Sequence, residues 1–477
     1  MSTLLAGASA VNINPPLPVD PQGFLRRAEA VRRYGEPLMV TACVLDSGSH
    51  RVAVLAADVV GLSPLYADRI RARISEATGI APEHILLNSS HTHAAPWPRE
   101  DGKLHGEFPE VTPAEAAYFE RLPHDYATAA LLAATNLVPA RVSGGTGRVT
   151  GLSVNRRERR EDGATILGWN KEGFVDEDVP VIRVDALDGS AIATIVGFGC
   201  HPVCVGPERT ETSPDFVGGL RGQVERLRGG VCVFLQGAAG NVLPLQAFCD
   251  YSGPELEMGS RLGLEAVHAV ADREPRVIDI ERIGYGSVTP IVLYRRRVAP
   301  DQPAQELSSV RRVIDLPLQQ ALSRETMEAE LDTRRSEYDE AERGGAGRDV
   351  LNPIRYHIRW LESMLRRLDS GPLPTSVPGE VWAARIGDCA IVGTPGELFS
   401  ELGAEVRAKS PFATTIFAGY SQGTLGYVAT SEEYPYGGYE PTVSQRGYDQ
   451  PAPFTPEVGG LLVRTSLELL HELHGEA

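Results

Sequence analysis

Residues 51–93 read "RVAVLAADVVGLSPLYADRIRARISEATGIAPEHILLNSSHTH", and this stretch predicts a strand, a helix and a second strand in succession. Its first ten residues are mainly apolar and rich in valine, which favours a β-strand. Ser63 and Pro64 suit the cap and the first position of a helix, and Gly79 suits its end. A second apolar run at 84–90 predicts the next strand. A strand–helix–strand unit of this kind is typical of α/β proteins.

Similar strand-like runs recur along the chain, so the α/β pattern is not confined to one segment. They are "AIATIVGFG" at 191–199, "VCVFLQG" at 231–237, "CAIVGT" at 389–394 and "TTIFAGY" at 414–420. Apolar runs that alternate with helical segments predict one or more central sheets covered by helices. We therefore predict an α/β fold in a single large domain.

Two helical regions are predicted outside this pattern. Between about residues 304 and 369 the sequence is strongly charged and has few strand signals, which predicts a helical insertion. The glycine-rich break at Gly344–Gly347 should divide it into two helices. Near the end of the sequence, Thr455 is the predicted N-cap of a last helix that has apolar residues spaced along one face.

The composition argues against nucleic acids and membranes as stable partners. The chain has 477 residues, with 46 basic and 63 acidic side chains and a net charge of -17. No basic block is available to bind a phosphate backbone, and no apolar run approaches the roughly 18 residues of a membrane-spanning helix. The expected partner is a small-molecule substrate, and the sequence leaves a homo-oligomer open.

The cysteines and the first residues favour a cytoplasmic location. Six cysteines are scattered over the chain, several of them inside apolar runs, which suits buried free thiols better than a disulfide framework. The pair around His201 in "CHPVC" lacks the second paired motif of a structural zinc site. The opening residues contain Ala8-Ser9-Ala10, but no basic residue precedes them, so we predict no export signal.

His91 and His93 raise the question of why two histidines lie one residue apart directly after a predicted strand. If the extended conformation continued, both imidazoles would face the same side and could meet at one metal ion. Three further candidate ligands follow other predicted strands: His201, Glu397 and Tyr427. Sites in open α/β sheets form beyond the carboxyl ends of strands, and imidazole with carboxylate suits zinc.

The same residues also have simpler interpretations. His91 and His93 could be a hydrogen-bonded pair that closes a strand, and His201, which precedes a proline, could be a loop residue. Glu397 could be a favourable acidic residue in the first turn of a helix. A serine nucleophile has little support, because the sequence has no G-x-S-x-G motif.

Several longer motifs are specific when they are read in order from Val11 to Glu440. They are "VNINPP", "PLMVTACVLDSGSHRVAVLAADVVGLS", "LLNSSHTHAAP", "SVNRRE", "GFGCHPV", "FLQGAAGNVLP", "GTPGELF" and "GYVATSEEYPYGGYE". In these motifs the chain resembles the neutral ceramidases and the broader neutral/alkaline non-lysosomal ceramidase-like group of zinc amidases. The resemblance implies a catalytic domain over residues 1–477, with the helical insertion at about 304–369 and without the C-terminal β-sandwich domain of full ceramidases.

The resemblance also implies a zinc site. Its ligands would be His91, His201, Glu397 and Tyr427, and the tyrosine rests on the resemblance alone, because phenolate coordination is uncommon. Zinc would be the cofactor, and no organic cofactor is implied.

Three further residues gain roles from the resemblance. His93 would carry out acid–base chemistry beside the metal, while Arg156 and Tyr439 would contact the substrate and the oxyanion. The implied reaction is amide hydrolysis, in which zinc activates water, zinc and Tyr439 stabilise the oxyanion, and His93 passes a proton to the leaving amine. Without the resemblance, Arg156 reads equally well as a solvated arginine and Tyr439 as a turn residue.

Some positions depart from the family pattern and point away from ceramide. Asn241 and Leu243 stand where ceramidases have an acidic residue and a serine, which would change one pocket wall or remove a secondary ion site. The segment "WPREDGKLHGEF" at 97–108 is more polar than a channel for lipid tails would be. We therefore expect a smaller or more polar amide substrate.

Two other functions remain open at this point. The same zinc site could open a lactone or close an intramolecular amide, which the sequence does not separate from hydrolysis. A binding protein of the same fold that has lost turnover is the third reading, although it would not need His93 and Tyr439.

Overall fold

The computed structural model describes residues 3–20, 23–98, 111–285, 291–299 and 305–475. The strands within these residues are β1 (Leu5–Asn12), β2 (Arg33–Tyr34), β3 (Met39–Asp46), β4 (Arg51–Ala57), β5 (Ile85–Ser89), β6 (Val138–Arg148), β7 (Ser153–Arg159), β8 (Thr165–Asn170), β9 (Asp178–Ala186), β10 (Ala191–Phe198), β11 (Glu211–Thr212), β12 (Val231–Gln236), β13 (Val242–Pro244), β14 (Ile278–Tyr285), β15 (Val292–Val298), β16 (Leu307–Pro317), β17 (Ser376–Ile386), β18 (Cys389–Gly393), β19 (Glu397–Leu398), β20 (Thr414–Ala418) and β21 (Tyr427–Val428). The α-helices are α1 (Pro64–Thr78), α2 (Pro113–Thr135), α3 (Phe216–Arg228), α4 (Pro254–Ala269), α5 (Arg324–Arg343), α6 (Arg348–Ser370), α7 (Ser400–Lys409), α8 (Tyr439–Thr442) and α9 (Val458–His474).

Two mixed sheets form the centre of the fold. The larger has the strand order β12-β10-β9-β6-β1-β3-β4-β5, and the smaller has the order β16-β17-β18-β20. Three strand pairs in them are parallel: β4 with β5, β10 with β12, and β18 with β20. The two edge strands of the larger sheet also approach each other, since Gln236 donates its backbone N–H to Asn88 Oδ1 at 2.9 Å.

Apolar side chains divide the molecule into layers. One core cluster combines residues of both sheets, such as Val54, Ile195, Trp382 and Ile416, so the sheets pack face to face. Two clusters join the larger sheet to α1 and α2 and to α3 and α4, and another joins the smaller sheet to α7 and α9. Helices therefore cover the outer faces of a two-sheet core, which confirms the predicted α/β fold with central sheets flanked by helices.

The predicted strand–helix–strand unit is confirmed as β4, α1 and β5. Ser63 caps α1 by accepting a hydrogen bond from the backbone N–H of Tyr66 at 3.2 Å. Gly79 ends the helix with a φ of 73°, in the left-handed region where the absence of a Cβ is favourable. The strands β10, β12, β18 and β20 also lie where the apolar runs predicted them.

The helical insertion is only partly as predicted. Helices α5 and α6 are separated at Gly344–Gly347, as expected, but residues 307–317 form the strand β16 instead of helix. That strand pairs antiparallel with β17 along its whole length, from Leu307 with Ile386 to Pro317 with Ser376. Its valines and isoleucine favour extended structure, and the charged residues around them obscured that signal.

The last helix also begins later than predicted. Its N-cap is Glu457 and its first residue is Val458, so Thr455 is not the cap. The backbone N–H of Thr455 instead donates to the carbonyl of Pro317 at 3.0 Å. This contact with the end of β16 holds Thr455 outside the helix.

All six cysteines are free, and five of them are buried, as the sequence predicted. Among the described residues, no helix is long and apolar enough to cross a membrane.

Candidate metal centre

Four predicted ligands lie together where strands of both sheets end. His91 follows β5, His201 follows β10, and Glu397 lies in β19, shortly after β18. Tyr427 lies in β21, which pairs in parallel with β19 and thereby places Tyr427 beside Glu397. The site therefore lies beyond the carboxyl ends of strands, as predicted.

The route by which His91 and His93 converge differs from the prediction. The extended conformation does not continue beyond Ser89, because His91 adopts a φ of 68°. A non-glycine residue in the left-handed region is uncommon and clusters at functional sites. The two imidazoles nevertheless meet, with 3.2 Å between their Nε2 atoms.

Backbone carbonyls hold the imidazoles of His91 and His201. The Nδ1 of His91 lies 2.6 Å from the carbonyl oxygen of Val60, and the Nδ1 of His201 lies 2.6 Å from that of Ala239. A carbonyl can only accept, so each Nδ1 carries the proton and each neutral ring leaves its Nε2 lone pair available. This arrangement is characteristic of histidines that bind a metal through Nε2.

The available donor atoms converge on one point. Glu397 Oε2 lies 3.4 Å from His91 Nε2 and 3.2 Å from His201 Nε2. The hydroxyl of Tyr427 lies 3.2 Å from His201 Nε2. Each of these four side chains is buried. The arrangement thus brings two nitrogens and two oxygens together at a buried position.

The charges of these groups suit a cation. The neighbouring His91 and His201 outweigh the opposing effect of burial and lower the pKa of Glu397 to about 2. Burial, followed by the positive charge of Arg156, lowers the pKa of His201 to about 4. At neutral pH the centre therefore holds one carboxylate and neutral imidazoles, which is a common ligand set for zinc.

The spacing also fits zinc. Ligands bound to zinc at about 2.0–2.1 Å in a tetrahedron lie roughly 3.3 Å from one another. The Glu397–His91, Glu397–His201 and Tyr427–His201 separations are 3.4, 3.2 and 3.2 Å. The donor set and its spacing therefore fit the metal that the sequence implied.

His93 belongs to the same cluster but is held differently. The nitrogens of His91, His93 and His201 lie within 4.8 Å of one another, so His93 is a further candidate ligand. Its Nδ1, however, is buried and has no hydrogen-bond partner in the described part of the chain. Its ring meets Phe24 edge-on, with 4.9 Å between the centroids. Without an anchor at Nδ1, His93 lacks the feature that marks the other two histidines as ligands.

Arg156 and Tyr439 lie on the Tyr427 side of the centre. Arg156 donates from Nε to Glu440 at 2.8 Å, and its Nη1 lies 3.2 Å from His201 Nε2. Its Nη2 is buried without a partner among the described residues. The ring of Tyr439 lies 5.5 Å from that of Tyr427, and the Tyr439 residue is 37% exposed. Arg156 therefore contacts the centre directly, and Tyr439 packs against the ring of Tyr427.

Three contacts at the centre were not predicted from the sequence. Tyr420 donates to Glu397 Oε2 at 3.2 Å, Tyr448 donates to Oε1 of the same carboxylate, and Glu440 pairs with Arg156. Tyr420 directly follows β20, so its position after a strand could have identified it. Tyr448 ends a short 3-10 helix (Ser444–Tyr448) and Glu440 lies in α8, and no predicted strand directly precedes either residue.

Comparison with known proteins gives a fold assignment. No protein-family model matches the sequence, and no curated protein matches it. Two solved structures match over 100% of this chain. One is a ceramidase complexed with C2, with a TM-score of 0.68, 16% identity and 76% of its own chain covered. The chain has the fold of the neutral ceramidases. The second structure, a neutral ceramidase from Pseudomonas aeruginosa, has a TM-score of 0.67, 18% identity and 75% of its chain covered.

Within this neutral ceramidase fold, the two departures noted in the sequence have structural roles. The Asn241 side chain accepts a hydrogen bond from the backbone of Ser400 and donates one to Glu401, each at 2.8 Å. Leu243 is buried in a small cluster with Val154 and Val203. The Asn241 amide is therefore engaged within the fold. The polar residues 99–108 lie outside the described residues.

Gly23 brings a loop directly against His93, which leads to a testable prediction. A Cβ on Gly23 would lie 2.5 Å from both Cβ and Cγ of His93, far inside van der Waals contact. Gly23→Ala should displace His93. Given the acid–base role predicted for this histidine, we expect kcat/KM for amide hydrolysis to fall by about tenfold or more, since small misplacements of a catalytic group are costly. Bound metal, measured by elemental mass spectrometry, should stay unchanged. Unchanged activity would show that the loop does not position His93.

Proposed function

We propose that this protein is a zinc-dependent hydrolase that cleaves an amide bond in a small or polar N-acyl compound. The observation that carries the proposal is the convergence of His91, His201, Glu397 and Tyr427: Glu397 Oε2 lies 3.4 and 3.2 Å from the Nε2 atoms of His91 and His201, and the Tyr427 hydroxyl lies 3.2 Å from His201 Nε2. The neutral ceramidase fold supports it, because two proteins of that fold are ceramidases. In the reaction, water adds to the carbonyl carbon, the C–N bond breaks, and a carboxylate and an amine are released.

Those four side chains would hold the zinc ion. When bound, zinc supplies Lewis-acid chemistry, which makes water nucleophilic near pH 7 and polarises a carbonyl group. Tyr420 and Tyr448 hold the Glu397 carboxylate from both oxygens and so fix its orientation. The Nδ1 contacts of His91 and His201 do the same for the imidazoles.

His93 is the group that we assign to proton transfer. Its Nε2 lies 3.2 Å from His91 Nε2, so a water molecule or a substrate at the centre would be within its reach. In amide hydrolysis the amine leaves only when its nitrogen gains a proton, and a histidine next to the reacting atoms can deliver it.

Arg156 and Tyr439 are assigned to the carbonyl oxygen of the substrate. Arg156 is fixed by its ion pair with Glu440, and its guanidinium lies 5.1 Å from the Tyr427 ring centroid. Its Nη2, which has no partner among the residues that the structure describes, and the Tyr439 hydroxyl are hydrogen-bond donors that would stabilise the negative charge that develops on this oxygen.

A panel of acyl compounds tests the proposal. Purified protein loaded with zinc is incubated with short polar N-acyl amines, with ceramide and with lactones, and the released amine or acid is measured by mass spectrometry. We expect amine release that a chelator abolishes and zinc restores. Because residues 97–108 are polar, kcat/KM for the best short amide should exceed that for ceramide by about tenfold or more.

The outcomes separate the competing functions. A preference for ceramide would contradict the predicted substrate class, and faster reaction of lactones would favour the alternative acyl chemistry. Zinc binding without any turnover would favour a binding protein. His91→Ala provides the background rate, because it removes a ligand.

A further inference from the structure

Arg27 is a buried arginine beside the candidate centre, and one edge of its guanidinium group has no partner within the part of the chain that the structure describes. The residue is 2% exposed, and its Nη1 donates to the carbonyl of Arg209 at 2.5 Å. Its Nε and Nη2 are buried and have no hydrogen-bond partner within the described residues. Burying a charged donor without a partner is costly, so such a group calls for an explanation.

The free atoms form the edge that binds carboxylates. In a guanidinium group, Nε–H and one Nη2–H point in parallel and match the two oxygens of a carboxylate. Other arginines of this chain use the same edge on acidic side chains. Arg33 donates from Nε and Nη2 to Glu211 at 3.1 and 2.8 Å. Arg51 does the same to Asp46 at 2.8 and 2.5 Å.

Among the described residues, the nearby acidic side chains do not occupy this edge. Asp20, Glu208 and Glu211 act on Arg27 only through longer-range charge. Asp20 pairs with Arg348, and Glu211 is bound by Arg33 and Arg209, while Glu208 is exposed. Burial lowers the pKa of Arg27 to about 10, so the group still carries its charge at neutral pH.

Arg27 lies next to the face on which His93 is found. Its guanidinium carbon lies 5.6 Å from the ring centroid of Phe24, and that ring lies 4.9 Å from the ring of His93. The guanidinium group and the His93 ring therefore both lie against Phe24. They are close enough for one short substrate to reach both. Arg156 and Arg27 both place positive charge near His93. This part of an otherwise acidic protein is suited to an anion.

We propose that the Nε/Nη2 edge of Arg27 binds a carboxylate group of the substrate, so that the preferred amide is a short N-acyl compound that carries a carboxylate. This inference rests on the proposed amide hydrolysis and specifies its substrate class. A carboxylate fits better than a phosphate, because one fork provides two parallel hydrogen bonds for a single negative charge. The shielding of both nitrogens from bulk water would strengthen the contact.

Matched pairs of acids and uncharged amides test the proposal by binding. The probes are N-benzoylglycine, which has its carboxylate on the amine side of the amide, and N-phenylsuccinamate, which has it on the acyl side. Each is compared with its carboxamide by isothermal titration calorimetry on zinc-loaded protein. We expect at least one acid to bind about ten- to a hundredfold more tightly than its carboxamide.

Substitutions then assign the preference to Arg27. Arg27→Met should abolish the difference between acid and carboxamide, and Arg27→Lys should reduce it to a few-fold, because lysine has a charge but no fork. The exposed neighbour Arg26 provides the control, and Arg26→Met should keep the full difference. Melting temperatures identify any variant that fails to fold. If Arg27→Met does not fold, Arg27→Lys still tests the proposal.

The result can be told apart from a failure of the amidase assignment. Equal binding of acids and carboxamides by the native protein, or a preference that survives in Arg27→Met, would overturn the carboxylate site. Product formation is measured separately by mass spectrometry. Hydrolysis of neutral amides without a preference for acids would refute the carboxylate site alone. Tight binding of an acid that depends on Arg27 but occurs without hydrolysis would support the site and count against the amidase.

Discussion

Glu397→Gln and His91→Ala should each abolish zinc binding and lower kcat/KM by at least roughly a thousandfold. The glutamine variant keeps the size of the side chain but removes its negative charge. Because the two histidine ligands are neutral, that charge is what attracts the cation to the centre. The alanine variant removes one nitrogen of the set. Elemental mass spectrometry after dialysis should find about one zinc per native chain and less than about a tenth in either variant.

Matched substitutions elsewhere separate this effect from general damage or non-specific metal capture. Glu380 is a largely buried glutamate that pairs with Arg71 and Arg311 away from the centre, so Glu380→Gln should retain zinc. His84 lies in a second histidine pair, with its ring 4.2 Å from that of His50, and His84→Ala should also retain zinc. Zinc that persists in both Glu397→Gln and His91→Ala would contradict the assigned ligands.

The parts of the fold that could be predicted are those in which local chemistry and tertiary structure agree. Ser63, Pro64 and Gly79 each stabilise the same helix boundaries, and the apolar runs at β10, β12, β18 and β20 are buried as expected. The strand β16 was missed, because its apolar residues are interspersed with Arg311, Arg312 and Asp315, which hide the signal for extended structure. Thr455 was misassigned because a contact with Pro317, far away in the sequence, decides its conformation.

The candidate site shows the same division. His91, His201 and Glu397 could be found because each follows a strand and is a common metal ligand. Local sequence could not show that His91 adopts a positive φ, or that Tyr448 reaches Glu397 from 51 residues away. The free edge of Arg27 could not be predicted either, since it depends on which acidic residues the fold pairs with other arginines.

His93→Gln should separate the two roles that remain open for this histidine. His91 and His201 are anchored through Nδ1 to backbone carbonyls, whereas the Nδ1 of His93 is buried without a partner among the described residues. We therefore expect the variant to keep about one zinc per chain while kcat falls by about a hundred- to ten-thousandfold, the usual contribution of an acid–base group.

Zinc content and turnover should be measured on the same preparation. Loss of a zinc ligand lowers both quantities, whereas loss of a proton donor lowers turnover and leaves the zinc content unchanged. Loss of zinc together with activity would make His93 a ligand of the centre and transfer the proton step to another residue. Retained zinc with unchanged turnover would remove His93 from the chemistry altogether.

Tyr427→Phe gives the reciprocal comparison: removing a hydroxyl that lies 3.2 Å from His201 Nε2 should weaken zinc binding by about ten- to a hundredfold. The assigned roles require that Tyr427→Phe lowers metal affinity and that His93→Gln lowers turnover without loss of zinc.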